Sequence, residues 1–299
     1  MTAAVPAQAS SENLRGIAAM LAAMGAFVIN DTAMKLAAAE LPTGQLIFLR
    51  GLMIVPVLGA LAMAGGAVQT VRAFANPRVV MRSAGEVGAA ILYLTALFHM
   101  PIADATAILQ FTPLAITAGA AIFLGAPVGW RRWLATLAGL IGVLIIVKPG
   151  ATTFNPYAAV ALLSVLFIAA RDLITRTLHA DVPTLAIALA SSIAVAVASL
   201  GMMPFETWVW PPAEAVLLLS VSGLAILCGQ FWMIKAMRSG EIAVVSPFRY
   251  SIILWAIAAG YLMWREIPDL SSWIGIAIVT SAGLYTFLRE QRLAKAARA

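Results

Sequence analysis

The chain has 299 residues, 62% of them hydrophobic and only 11% charged, with a mean hydropathy of +0.96 and a net charge of +6. Soluble domains carry about 25% charged residues and about half apolar ones, so this balance excludes a water-soluble globule and requires a lipid solvent. The basic residues cluster in short segments between apolar runs, which fits anionic membrane lipid and excludes a nucleic-acid partner.

Residues 1–13 are small and polar and read as a disordered tail, without the basic region and short apolar core of a cleaved signal. Apolar runs follow at 14–38, 43–65, 77–98, 102–124, 130–148, 156–178, 183–203, 213–237, 242–263 and 270–288. A bilayer core needs about 20 apolar residues per helix, and each run is close to that. The alternation of a barrel strand is missing, and lipid leaves helices as the remaining way to satisfy backbone groups. The expected fold is therefore all-α and integral to the membrane, with ten spans, one to ten in chain order. Connections are short apart from 64–76 and 204–212, and residues 291–299 form a basic tail.

Orientation follows from lysine and arginine. With the N-terminus in the cytoplasm, Arg15, Arg72, Arg78, Arg82, Arg131, Arg132, Arg176, Lys235, Arg238, Arg289, Arg292, Lys295 and Arg298 fall on the inner side, against Lys35, Lys148 and Arg265 outside. That bias places both termini inside. Trp130, Trp133, Trp208, Trp210, Trp264 and Trp273 fall near span ends, where interfacial aromatics belong.

The chain also matches itself. Asp31, Lys35, Glu40, Pro42 and Thr43 return 141 positions later as Asp172, Arg176, Asp181, Pro183 and Thr184. Ala96-Leu97, Ile102-Ala103 and Trp133 return 140 positions later as Ala236-Met237, Ile242-Ala243 and Trp273. Two units are expected, 14–150 and 151–290. Five spans in each is an odd number, so the halves are inverted in the membrane, the arrangement of secondary transporters with a midplane site.

Ionisable residues inside a span are costly and face protein or water. Arg249 lies near the middle of span nine and Glu86 within span three; both read as functional. Arg82, Glu86 and Tyr93 share one helical face. Asp31–Lys35 and Asp172–Arg176 have the i,i+4 spacing of intrahelical ion pairs and read as structural pairs near helix ends, with Arg171 adjacent to the second. Arg82 reads as an interfacial anchor. Arg50, inside span two, is divided between structural pairing and substrate contact, with pairing ahead. Gln110, Tyr93, Gln230, Trp232 and Tyr250 supply hydrogen-bonding groups and flat apolar surface, which a pocket for a polar, partly aromatic solute uses; each also suits helix packing. Pro113 and Pro247 interrupt spans four and nine and free backbone groups there. Small residues such as Ala135 and Gly139 permit close packing or a dimer contact.

Other chemistries lack their residues. Cys228 is the single cysteine, so no disulfide or cysteine metal site is possible within the chain. No GxxxxGK[ST] loop or dinucleotide fingerprint occurs. His99 and His179 are the only histidines and lie far apart in sequence. No cofactor or metal is expected, and an enzyme fits poorly.

Phe48-Leu49-Arg50, Ala96-Leu97, Ala236-Met237, Ser246-Pro247-Phe248-Arg249-Tyr250 and Trp264-Arg265-Glu266 with Pro268 resemble the drug/metabolite transporter superfamily, in its form with two EamA units. The first half departs at Leu124-Gly125-Ala126-Pro127, which lacks the acid that ends the second-half motif. The resemblance implies a basket around a central cavity built from spans one, three, four, six, eight and nine, with five and ten peripheral. It implies that Glu86, Tyr93, Gln110, Arg171, Trp232, Arg249 and Tyr250 line that cavity. It implies a secondary transporter of the bacterial inner membrane, nearest to exporters of amino acids including aromatic ones. Uptake of S-adenosylmethionine and export of drugs are alternatives on the same fold; a channel or membrane enzyme is the reading from another class. The expected partners are a small-molecule substrate, the lipid bilayer and, as an open option, a second copy of the chain.

Overall fold

A computed structural model describes residues 7–126, 128–152, 154–178, 182–239 and 242–296. His179, Asp181 and the extreme ends of both expected tails lie outside the described residues. The helices in chain order are α1 (Ala7–Ala37), α2 (Thr43–Phe74), α3 (Pro77–His99), α4 (Ile102–Leu109), α5 (Thr112–Leu124), α6 (Trp130–Val147), α7 (Pro156–Arg176), α8 (Thr184–Leu200), α9 (Ala213–Arg238), α10 (Ile242–Val245), α11 (Ile252–Trp264) and α12 (Leu270–Ala296). No strand occurs among the described residues, and 9 helical stretches there are long and apolar enough to cross a membrane.

Local signals set the helix ends. Asn76 and Asn155 accept from the amides of Arg78 (3.0 Å) and Tyr157 (2.9 Å), each with a proline opening the helix; this is an N-cap followed by proline in the first turn. Thr112-Pro113 breaks span four into α4 and α5. Pro247 sits in a 3-10 turn, Ser246–Ser251, that separates α10 from α11 within span nine. The connection expected at 64–76 is largely helix, because α2 continues to Phe74 before Pro77 starts α3. α1 begins at Ala7, ahead of the first apolar run.

The repeat is visible in helix endings as well as in sequence. Gly125, in left-handed conformation, closes α5 while the Ala126 amide donates to Ala120 O at 3.1 Å. One repeat shift away, Arg265 is left-handed and the Glu266 amide donates to Gly260 O at 3.1 Å. Both are Schellman-type closures. Packing follows the same symmetry: α1 lies on α9 and α3 on α7, while α2 pairs with α8 and α6 with α12. Exchanging span n for span n+5 turns the first pairing into the second and maps the other two onto themselves. The fold is thus two inverted five-helix repeats whose contacts run mainly between the halves.

The apolar core joins residues from both halves, among them Met34, Leu97, Ile108, Val165 and Leu219. In lipid such cores are held by close packing of small and shape-matched side chains rather than by escape from water. Gly139 serves this end, lying against Phe111 and Leu114, and Ala135 is buried; these small residues are internal packing. The 203–212 connection folds onto the start of α2. There the Gly44 amide donates to both Glu206 carboxylate oxygens at 3.1 and 3.0 Å, an acid at a helix N-terminus as the helix dipole favours.

Candidate functional site

Spans three and six meet at Gly85, where an added Cβ would stand 3.1 Å from Arg171 Cβ. A glycine here lets the flanking side chains bridge the two halves. Glu86 does so: both its carboxylate oxygens accept from Arg171 Nη1 at 3.0 Å, and Arg82 Nη2 lies 3.4 Å away. Arg171 Nε donates to Asp172 Oδ1 at 2.8 Å. Arg82 Nε donates to Thr175 Oγ1 at 3.2 Å, and its Nη1 donates to Ser191 Oγ.

Two turns further along α3, Tyr93 OH donates to Asp31 Oδ2 at 2.7 Å. Asn30 Nδ2 donates to the other Asp31 oxygen at 2.8 Å, and Asn30 Oδ1 accepts from Ser222 Oγ at 2.7 Å. Arg50 of span two interacts electrostatically with both Asp31 and Glu86, and its buried Nε has no hydrogen-bond partner. Spans one, two, three, six, seven and eight therefore contribute to one polar ladder inside the bundle. Such groups persist in lipid only when paired or facing water.

The ladder is sealed at one end. Lys35 is 8% exposed; its Nζ donates to Met100 O at 2.7 Å, lies 3.7 Å from Glu266 and sits 4.6 Å from the Trp264 ring centroid. Near it, His99 stacks on Tyr157 with centroids 4.2 Å apart, and Asn155 Nδ2 donates to the His99 carbonyl at 3.1 Å. Lys148 pairs with Asp269 in the turn before α12. The Lys148 ammonium, and after it the Ser272 amide, hold the Asp269 carboxyl well below the ordinary carboxylate range. At the other end Glu86 and Asp172 are partly exposed, at 26% and 35%.

Of the residues singled out in the sequence, Glu86, Tyr93 and Arg171 meet in this ladder. Gln110 caps α4 at the break in span four, its amide reaching Ala107 O at 3.1 Å and Thr106 O at 3.3 Å. Trp232 packs edge-on to Phe231 beneath Lys235, whose Nζ is 4.7 Å from its ring. Arg249 is exposed on the 3-10 turn, and Tyr250 rests against Gly283 of α12. Among the described residues, no hydrogen bond or ion pair joins Gln110, Trp232, Arg249 or Tyr250 to the ladder.

Three pairings differ from the sequence reading. Asp31 does not pair with Lys35: Tyr93 and Asn30 take the acid, and Glu266 takes the lysine. Asp172 pairs with Arg171, not with Arg176. Arg82 is part of the ladder rather than a lone anchor. For Asp31 and Lys35 other helices supply the partners, Tyr93 and Glu266, in preference to an exposed pair along one helix, which is worth only about 0.3–0.5 kcal/mol. Asp172 takes its neighbour on α7, Arg171, which also reaches Glu86. Asp31, Arg50 and the Asn30–Ser222 bridge thus join the candidate site; the signal for them was polar side chains recurring inside apolar runs.

Inverted repeats of long apolar helices around a shared polar ladder define a multi-pass membrane protein. The EamA-like transporter family model matches residues 14–148 and 155–288, and the chain belongs to that family. It is 27% identical over 192 residues to the S-adenosylmethionine uptake transporter of Rickettsia conorii, covering 64% of this chain and 65% of that protein. It is 28% identical over 274 residues to the pseudopaline exporter CntI of Pseudomonas aeruginosa, covering 89% and 94%. The riboflavin transporter of Rhizobium johnstonii is 30% identical over 200 residues, 67% of this chain and 66% of the relative. A solved crystal structure superposes with a TM-score of 0.61 at 22% identity over 95% of this chain and 99% of that one; it bears on the fold alone.

Proposed function

We propose that this chain is a secondary transporter that exports small zwitterionic metabolites, amino acids including aromatic ones foremost, across the bacterial inner membrane by alternating access. The observation that carries the proposal is a ladder of charges of both signs, shared by the two repeats and partly exposed at Glu86 and Asp172. Arg50, with Nε unpartnered, receives the substrate carboxylate, and Asp31, flanked by Tyr93 and Asn30, receives the ammonium. Glu86 and Arg171 join the halves and separate when one repeat rocks against the other. Gln110, Trp232, Arg249 and Tyr250 line the route away from this centre, with the Trp232 indole offering a surface for an apolar side chain. Both termini lie in the cytoplasm in this scheme. Every group of the ladder belongs to one chain, so a homodimer would assemble two complete units.

The relatives carry names with different cargoes, which favours a second reading: uptake of an S-adenosylmethionine-like cation through the same ladder. Purified protein in liposomes separates the two. Saturable flux and counterflow of radiolabelled amino acids support the first. Flux of S-adenosylmethionine with no amino-acid flux supports the second, and the absence of flux across both panels rejects the substrate class.

A further inference from the structure

Spans five and ten touch tightly at one end. A Cβ on Gly275 would stand 2.6 Å from Gly142 O, and one on Gly142 would stand 3.0 Å from Gly275 O. Away from that contact α6 and α12 line a groove of about 630 Å³ toward the opposite end. Leu134 and Ile278 form its apolar walls, and Trp130, Arg131 and Tyr285 stand at its end. One turn beyond Tyr285, the Arg289 guanidinium lies beside Gly129: a Cβ there would be 3.9 Å from Nη2. Arg289 Nη1 is buried with no hydrogen-bond partner. A buried donor left unsatisfied is costly.

The repeat explains this orphan. Lys148 pairs with Asp269 at the sealed end. A shift of 140 positions carries Asp269 to Gly129 and Lys148 to Leu288, the residue before Arg289, and Arg289 and Gly129 are neighbours in space. The inner-end copy has a cation one position along and has lost the carboxylate. We infer that the phosphate of an anionic phospholipid takes the place of that carboxylate on Arg289, with an acyl chain in the groove between spans five and ten. One molecule of the bilayer supplies both parts. Arg131 adds a second cation at the mouth beside Trp130 and Tyr285, aromatics of the kind enriched at membrane–water interfaces. A helix from a second copy fits worse: at about 11 Å diameter, barely one turn would fill the groove.

The test is native mass spectrometry of the full-length protein released from mixed phosphatidylglycerol and phosphatidylethanolamine, comparing wild type with Gly129→Asp, Arg289→Gln and Arg289→Lys. Gly129 has φ −69° and ψ 155° and caps α6, a position that suits aspartate. Gly129→Asp restores the carboxylate of the other repeat and should displace the lipid phosphate. The expected result is a preference for phosphatidylglycerol that falls about tenfold in Gly129→Asp and Arg289→Gln, the loss of one charge-assisted bond. Arg289→Lys keeps the preference, and phosphatidylethanolamine binding is unchanged throughout. Equal phosphatidylglycerol preference in wild type and Gly129→Asp overturns the inference, as does a dimer mass carrying no lipid. If Arg289→Gln does not purify, Gly129→Asp, which keeps the arginine, decides alone.

Discussion

Breaking the bridge between Glu86 and Arg171 should be felt both in stability and in coupling between the halves. Arg171→Met removes the donor held 3.0 Å from both Glu86 oxygens and also strips Asp172 of its partner, leaving Glu86 with Arg82 at 3.4 Å. One-sided loss of a fully buried ion pair costs about 3–5 kcal/mol. The carboxylate is 26% exposed and keeps one cation, so about 2 kcal/mol is the fitting figure for a charged hydrogen bond in a partly wet site. At about 2–4 °C per kcal/mol for a chain of this order, the melting temperature should fall by roughly 4–8 °C. Glu86→Gln keeps an acceptor and should cost about half as much. The double variant leaves no unpaired charge between them, so its loss should be smaller than the sum of the singles by about 1 kcal/mol or more. Thermal unfolding of detergent-purified protein, followed by tryptophan fluorescence across all four proteins, measures this. Strict additivity would mean the two groups do not act on one another, and the bridge would drop out of the account.

Tyr93→Phe removes a 2.7 Å donor from Asp31; it should raise the transport KM several-fold, a loss of about 1 kcal/mol, with little change in melting temperature. Glu266→Gln frees Lys35 at the sealed end. In a Cys228→Ser background, a cysteine at Met100 should then react faster with an impermeant thiol reagent, and an unchanged rate would show the seal does not depend on that pair. Asp269 has its native pKa lowered by Lys148. Its contribution is therefore complete above the ordinary carboxylate value of about 3.9 and is lost as pH falls below it toward the native value. The pair is exposed, so Lys148→Met should lower the melting temperature only slightly at neutral pH, and the difference should vanish in strong acid.

The spans were legible because lipid demands long apolar runs, and the breaks at Pro113 and Pro247 because proline cannot complete the helix ladder. The 141-residue echo gave the inversion, since five is odd. What local pattern could not give is which helix face a charge meets. Asp31 and Lys35 have the spacing of an intrahelical pair, and only the packing of α1 on α9 and beside α3 turns one toward Tyr93 and the other toward Glu266. Glu206 reaches Gly44 across 162 positions, a cap no window of sequence contains. The missing acids at Ala126 and Gly129 are plain in the sequence, yet their meaning emerges only beside the paired Glu266 and Asp269. Arg50 was ambiguous for a related reason: its two acidic neighbours lie on two other helices.

The most direct test is a substrate-bound structure of the full-length protein with an aromatic amino acid. The carboxylate should lie within about 3.2 Å of the Arg50 guanidinium and the ammonium within the same reach of Asp31. A ligand seated elsewhere, with Arg50 and Asp31 untouched and the Glu86–Arg171 bridge as it is here, would contradict the account.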